Sequence, residues 1–302
     1  MSVQGTIKRY SLIIEKVSRK SYPSLDELHA HLVENGFELS ERTLQRNIDA
    51  IRNEFGVEIV YDRDRSGYFI DEELSLDYAS FLKLVEISNT ADLIVAGLSD
   101  GKEALAALSF EARGDLRGID NLKPLYTAIK NQRIVSFHHE NFGSGQQKEY
   151  TVQPYLLKEY QERWYLVGRP EGGDEFLNFG LERITELLIS DRKSKREDTR
   201  DPKELFDHTI GITYSVGDAE RVILSFTPLQ GKYVKTLPYH SSQQVLVDND
   251  EELRIALTVV PNFELTQKIL MLGDNVRVLE PQSLKDEVRR TLRSSLDRYD
   301  TL

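Results

Sequence analysis

Arg163-Trp164-Tyr165-Leu166-Val167-Gly168, with Phe179-Gly180-Leu181-Glu182-Arg183-Ile184 shortly after it, decides how the middle of this chain is read. Strand alternation puts Arg163, Tyr165, Val167 and Arg169 on one face and Trp164, Leu166 and Gly168 on the other. Trp164, the only tryptophan, is expected in a core. An aromatic plane flanked by two guanidiniums, Arg163 and Arg169, suits a nucleobase, a nucleotide or a phosphate, so Arg163 and Tyr165 are candidate ligand contacts. A second reading stays open, in which an arginine beside Glu162 or Glu182 is an ordinary surface ion pair.

Outward from this segment, short strands are predicted at Ile134–His139, Glu149–Val152, Tyr155–Glu159, Trp164–Gly168, Glu175–Phe179 and Glu186–Ile189, after a short helix from Leu122. Strands this short and this closely spaced predict a small, strongly bent sheet or barrel. Ser136 and His138 share one face of the first strand. Charged Asp191–Asp201 reads as a linker, and the basic run Arg192 to Arg196 as a solvated part of it or a nucleic-acid contact. Beyond it come a strand at Val222–Phe226, a helix at Leu229–Thr236, strands at Gln243–Val247 and Leu253–Val260, a helix at Phe263–Leu272, a strand at Val276–Leu279 and a final helix, Ser283–Tyr299. That order is βαββαβ plus a helix, the pattern of a ferredoxin-like unit.

At the other end, Tyr10, Ile13, Ile14 and Val17 form the apolar stripe of a first helix. Ser24-Leu25-Asp26-Glu27 is a capping box that opens a second helix, which Gly36 ends. Ser40 caps a third helix running to about Asn53. Its buried side holds Leu44, Ile48, Ile51 and Phe55. Arg42, Arg46, Asp49 and Asn53 point the opposite way, with Asp49 expected to pair with Arg46 or Arg42 or to accept a bond from cytosine. Two short strands, Val57–Tyr61 and Gly67–Ile70, flank a turn carrying Arg63 and Arg65. Exposed arginines one turn apart near a helix start suit bidentate bonding to guanine in a major groove, with Ser40, Thr43 and Gln45 placed for phosphates or bases. A solvated amphipathic helix would show the same surface. Residues 74–118 read as a helical connector with Ser75 as its cap and Phe81, Leu82 and Val85 as apolar anchors.

Composition sets bounds on this picture. The 302 residues allow roughly two or three domains. The net charge of −11 argues against a protein that coats nucleic acid with its whole surface. Residues 1–70 hold ten Lys/Arg and eleven Asp/Glu, against 29 and 39 in the remainder, so the acidity lies away from the paired arginines. There is no cysteine, which excludes disulfides and thiolate chemistry. No stretch reaches the length of a membrane span, and a cytoplasmic location is expected.

Three segments resemble a known family. Ser40-Glu41-Arg42-Thr43-Leu44-Gln45-Arg46-Asn47-Ile48 is similar to the helix of DeoR-like winged helix-turn-helix domains, with Asn47 where that family usually has Asp. Residues 120–190, through Pro154, Arg163 to Gly168 and Leu181 to Ile184, resemble the WYL domain. Leu270-Met271-Leu272-Gly273-Asp274-Asn275-Val276-Arg277-Val278 resembles the extension that accompanies WYL domains.

The resemblance implies an α+β protein divided into a winged helix-turn-helix (1–72), a helical connector (73–119), an Sm-like small β-barrel WYL domain (120–192), a linker (193–217) and a ferredoxin-like C-terminal domain (218–302). It also implies a bacterial, homodimeric transcription regulator. Operator duplex DNA would be read through Ser40, Arg42, Thr43, Gln45, Arg46, Arg63 and Arg65. A nucleotide or short nucleic-acid effector would be sensed through Tyr165 and Arg183, and through Ser136, His138 and Arg163. His139 stands where the family often has Tyr. Family habit favours repression over activation. The alternative left open is an RNA or single-stranded nucleic-acid module without operator recognition.

An enzyme is not expected, and neither is a cofactor or a metal. The six histidines offer no helical His-x-x-x-His pair with a third ligand. Gly143-Ser144-Gly145 reads as a polar hairpin turn, and no Gly-x-Ser-x-Gly elbow occurs.

Overall fold

The computed structural model describes residues 3–19, 21–75, 78, 81–87, 90, 118–194, 202–214 and 217–300. It is an α+β protein with antiparallel sheets, and the chain forms two compact units, Met1–Arg113 and Gly114–Leu302.

In the first unit, α1 (Val3–Ser18), α2 (Leu25–Glu34) and α3 (Glu41–Phe55) precede a hairpin of β1 (Glu58–Asp62) and β2 (Gly67–Asp71). The predicted stripes are what these helices bury. Ile13, Ile14 and Val17 of α1 meet Leu28 and Leu32 of α2 and Leu44, Ile48 and Ile51 of α3, all nearly inaccessible to solvent. The Ser24 capping box is complete: the hydroxyl accepts from the Glu27 amide at 3.2 Å, and the Glu27 carboxylate accepts from the Ser24 amide at 2.8 Å. Gly56, in the left-handed region, ends α3.

The hairpin is locked onto the turn before α2. The Tyr68 amide donates to the Pro23 carbonyl at 2.8 Å. A Cβ on Gly67 would stand 1.8 Å from the Tyr22 carbonyl oxygen, so only glycine fits there. Arg52 ties α3 to β1 through Glu58 at 2.8 Å and the Ile59 carbonyl at 2.8 Å. Ser75, expected as a helix cap, has its hydroxyl accept from the Glu58 amide at 2.9 Å. Residues 81–87 are helical, and Phe81 joins the same core beside Tyr10 and Phe55. The rest of the expected helical connector, residues 91–117, lies outside the described residues.

The second unit starts with α4 (Leu122–Lys130), which lays Leu125 and Ala128 against a five-stranded sheet of order β6-β5-β4-β3-β7. Its strands are β3 (Arg133–Glu140), β4 (Gln147–Tyr160), β5 (Arg163–Pro170), β6 (Leu177–Gly180) and β7 (Ile184–Lys193). The two strands expected at Glu149–Val152 and Tyr155–Glu159 are one: β4 passes through Pro154 at a shift of register against β5, where a bulge tolerates the missing amide. The linker expected from Asp191 starts later, because β7 runs on to Lys193 and Arg192 pairs with Glu171. Along β5, Leu166 joins the α4-side core with Trp164 packed against it, while Val167 packs on the other face with Tyr155 and Phe176.

After residues 202–214 the chain forms β8 (Glu220–Phe226), α5 (Pro228–Thr236), β9 (Gln244–Asp248), β10 (Leu253–Val259), α6 (Phe263–Met271), β11 (Val276–Glu280) and α7 (Gln282–Asp300). The sheet order is β11-β8-β10-β9: β9 and β10 form an antiparallel hairpin, while β11 comes last in the chain and pairs with the first strand, β8. Alternate residues of β8 and β10 (Val222, Leu224, Phe226; Leu253, Ile255, Leu257, Val259) fill one core under α6 and α7. The segment 209–214 joins the two sheets. Asn178 donates to the Ile212 carbonyl at 2.6 Å, and the Asn262 amide group donates to the carbonyls of Ile210 and Thr213, each at 2.8 Å.

Candidate functional site

Two places gather the candidate residues, one in each unit. On α3, Leu44, Ile48 and Ile51 face inward, and the helical period therefore leaves Arg42, Gln45 and Arg46 exposed. No acidic side chain among the described residues lies within ion-pair distance of Arg42 or Arg46. Asp49 does not pair with either, contrary to expectation. It pairs with Arg52 at 3.7 Å, because Arg52 is anchored one turn on by Glu58 and lies on the near side of the helix. Ser40 and Thr43 are occupied with each other: the Ser40 hydroxyl caps the Thr43 amide at 3.3 Å and bonds the Thr43 hydroxyl at 3.0 Å. Asn47 is buried on the inner side of α3.

The β1–β2 turn treats its arginines differently. The Asp62 carboxylate accepts from the amides of Asp64 and Arg65 and fixes the turn. Arg65 stacks over the Tyr22 ring at 4.3 Å and lies 4.0 Å from Asp62. Arg63 projects from the tip, exposed.

In the second unit, the five residues expected around one ligand fall into separate groups. Arg163, Tyr165 and Arg183 lie around Glu182, whose Oε1 is 3.4 Å from Arg163 Nη1 and 3.7 Å from Arg183 Nε. Burial raises the Tyr165 hydroxyl pKa, with Glu182 adding to the rise and the two arginines opposing it. Ser136 and His138 stand elsewhere on the sheet. Ser136 pairs with Thr151 of β4 and Tyr165 with Lys158. Seven residues of strand separate those two partners, on the order of 20 Å of chain. His138 Nδ1 faces Glu186 at 3.3 Å, where Glu186 sits in a bulge of β7 with φ +53°.

The concave feature here is a cleft of about 540 Å³ at the open end of the α4-side core. His139 of β3, Tyr150 of β4 and Phe179 of β6 pack edge-to-face in its wall with Phe137 of β3 buried behind them, centroids 5.0–5.3 Å apart for the pairs Tyr150–Phe179, Phe137–Phe179 and His139–Phe179. Arg183 overlies the Phe142 ring at 5.1 Å, and Lys148 overlies Tyr150 at 4.8 Å. Burial, with the charge of Arg183 second, lowers the His139 pKa to about 4, so its imidazole is neutral at ordinary pH. The cleft therefore offers stacking faces, two cations and a neutral imidazole, groups suited to a flat anionic ligand.

Only Arg183 of the expected ligand residues lines this cleft. His139, Phe142, Lys148, Tyr150 and Phe179 were not expected there. Alternation alone places His139 beside Phe137 and Lys148 beside Tyr150. The convergence of those faces with Phe142, which lies in a Gly-Ser turn, depends on the bending of the sheet. Among the described residues no group of three or more His, Asp or Glu is arranged to hold a metal ion, and no helix is long and apolar enough to cross a membrane.

A solved structure of proteasome accessory factor B/C (PafBC) of Arthrobacter aurescens is similar at 18% identity and TM-score 0.29, over 98% of this chain and 47% of that one. This chain thus spans about half the length of that protein. A CRISPR Cas-related protein is similar at 15% identity and TM-score 0.42, over 99% of this chain and 86% of that one. No curated protein matches the chain. Residues 120–189 match the WYL domain, and residues 218–296 match the WCX domain. The sheet that carries the cleft coincides with the WYL match, and the βαββαβ unit after it with the WCX match.

Proposed function

We infer that the protein is a DNA-binding transcription regulator whose hold on its operator is set by a nucleotide or short nucleic-acid effector at the WYL domain. The observation that carries the reading is the pair Arg42 and Arg46, exposed one helical turn apart on α3 and free of acidic partners among the described residues. The first unit acts as a winged helix-turn-helix of the DeoR-like kind. The N-terminal half of α3 enters the major groove, where each guanidinium can bond a guanine edge bidentately. Arg63, at the tip of the β1–β2 wing, reaches a backbone phosphate, and the capped Ser40–Thr43 turn fixes the entry angle of the helix.

The effector lies in the cleft of an Sm-like WYL domain, its flat part against Phe142 and Tyr150 and its anionic part at Arg183. The WCX domain, with a ferredoxin-like strand order, joins two copies into a homodimer, and a palindromic operator meets both reading helices. Binding shifts the population between dimer geometries that fit or misfit the two half-sites, which requires tighter binding to one of them. The WYL and WCX matches support a regulator of this kind; that it is bacterial, cytoplasmic and a repressor is part of the proposal.

The test is selection of bound sequences from random duplex and random single-stranded pools by the full chain. Enrichment of a palindromic duplex that is lost in Arg42→Ala/Arg46→Ala is the expected result. Enrichment from the single-stranded pool alone, unaffected by the double substitution, would replace this reading with that of a single-strand or RNA module.

A further inference from the structure

We propose that Glu182 is a built-in competitor for the anion that Arg183 receives, and that it restricts the site to ligands carrying more than one negative charge. The proposal rests on the reading of the cleft as an effector site and names what decides its selectivity. Glu182 belongs to the 3-10 turn Leu181–Arg183 between β6 and β7. Its Oε1 alone serves both arginines, at 3.4 Å and 3.7 Å. Its side chain is 20% exposed, close to the 23% of Arg183, whereas Arg163 is 60% exposed. The carboxylate is thus tucked against the same guanidinium that overlies Phe142 at the cleft.

Room for it is made by Gly180. A Cβ there would stand 2.8 Å from both carboxylate oxygens and 3.0 Å from Arg183 Nε. Any side chain at position 180 would expel Glu182 from its place between the arginines.

The chemistry follows from charge balance. Arg163, Glu182 and Arg183 sum to one positive charge, and His139 adds none because it stays neutral. The distances are longer than those of a tight bidentate pair, so Glu182 is held loosely and can be displaced. A monoanion arriving at Arg183 gains one cation while facing a resident carboxylate. A dianion or polyanion gains more from Arg183 and Lys148, which both line the cleft, than it loses to Glu182, and it can push that side chain toward Arg163. Phosphate-bearing ligands of higher charge are therefore selected over carboxylates and singly charged phosphodiesters.

The experiment is isothermal titration of the full chain with inorganic pyrophosphate and, separately, acetate, for the wild type, Glu182→Gln, Glu182→Ala and Arg183→Ala. Removing the resident charge should tighten pyrophosphate binding about five- to tenfold. It should also narrow the preference for pyrophosphate over acetate, in both position-182 variants. Unchanged or weaker pyrophosphate binding in Glu182→Gln and Glu182→Ala, with loss in Arg183→Ala, would overturn the proposal and make Glu182 a strut for Arg183. Wild-type binding by Arg183→Ala would sink the cleft reading itself.

Discussion

The arginines of α3 and those beside the WYL cleft are the same residue in opposite electrostatic states. Among the described residues Arg42 and Arg46 stand exposed without an acidic side chain at ion-pair distance, while Arg163 and Arg183 share Glu182. A helix that reads a polyanion gains from every uncompensated cation, because each phosphate it neutralises releases counterions and each base edge can accept a bond. A cleft that must accept one ligand and reject its relatives gains from partial neutralisation, since full positive charge would capture any anion. The difference is between affinity and discrimination.

The comparison can be broken or sharpened by experiment, beginning with the largest effect. Phe179 is 2% exposed and packs against Phe137, His139 and Tyr150, so Phe179→Ala should cost about 3–5 kcal/mol in the stability of the second unit, read by denaturant unfolding. A loss under 1 kcal/mol, as an order of magnitude for a surface site, would mean that the cleft wall is not part of the core. Arg42→Ala/Arg46→Ala should leave unfolding unchanged, because both side chains are exposed, and should weaken binding to the selected duplex by about 2–4 kcal/mol. A fall in thermal stability that accounts for the lost binding would erase the contrast between a reading face and a structural one.

Smaller effects test the wing and the imidazole. Arg63→Ala should lower the salt slope of DNA binding by about 1, with a smaller change for Arg65→Ala, because Arg65 is already engaged by Tyr22 and Asp62. Equal changes would show that the stacking does not hold in solution. His139 has a folded pKa of about 4 against 6.5 for the free group, so it favours folding most above pH 6.5. That contribution should fall away as the pH drops from 6.5 toward 4 and stay constant below. His139→Gln should remove this component, and an unaltered pH profile of unfolding would show that the imidazole is not held in the buried wall.

Much of the fold is legible in the sequence because the signals are local. The Ser24 capping box, the Ser40 cap and the apolar stripes of α1 and α3 act within one or two helical turns, and the structure places them where the pattern requires. The elements of the C-terminal domain fall within a residue or two of their predicted bounds for the same reason. The cleft was less legible. Its wall joins residues from β3, β4, β6 and a turn, and alternation says which face a residue takes without saying which strands curl together.

The sequence by itself determined the helices and strands, the outward direction of Arg42 and Arg46 and the burial of Leu166 with Trp164 beside it, since periodicity and caps are written into neighbouring residues. Only the tertiary structure decided that β4 runs unbroken past Pro154, that Asp49 turns to Arg52, and that Glu182 stands between two arginines. Those outcomes depend on strand register and on distances between residues far apart in the chain, and local pattern does not carry that information.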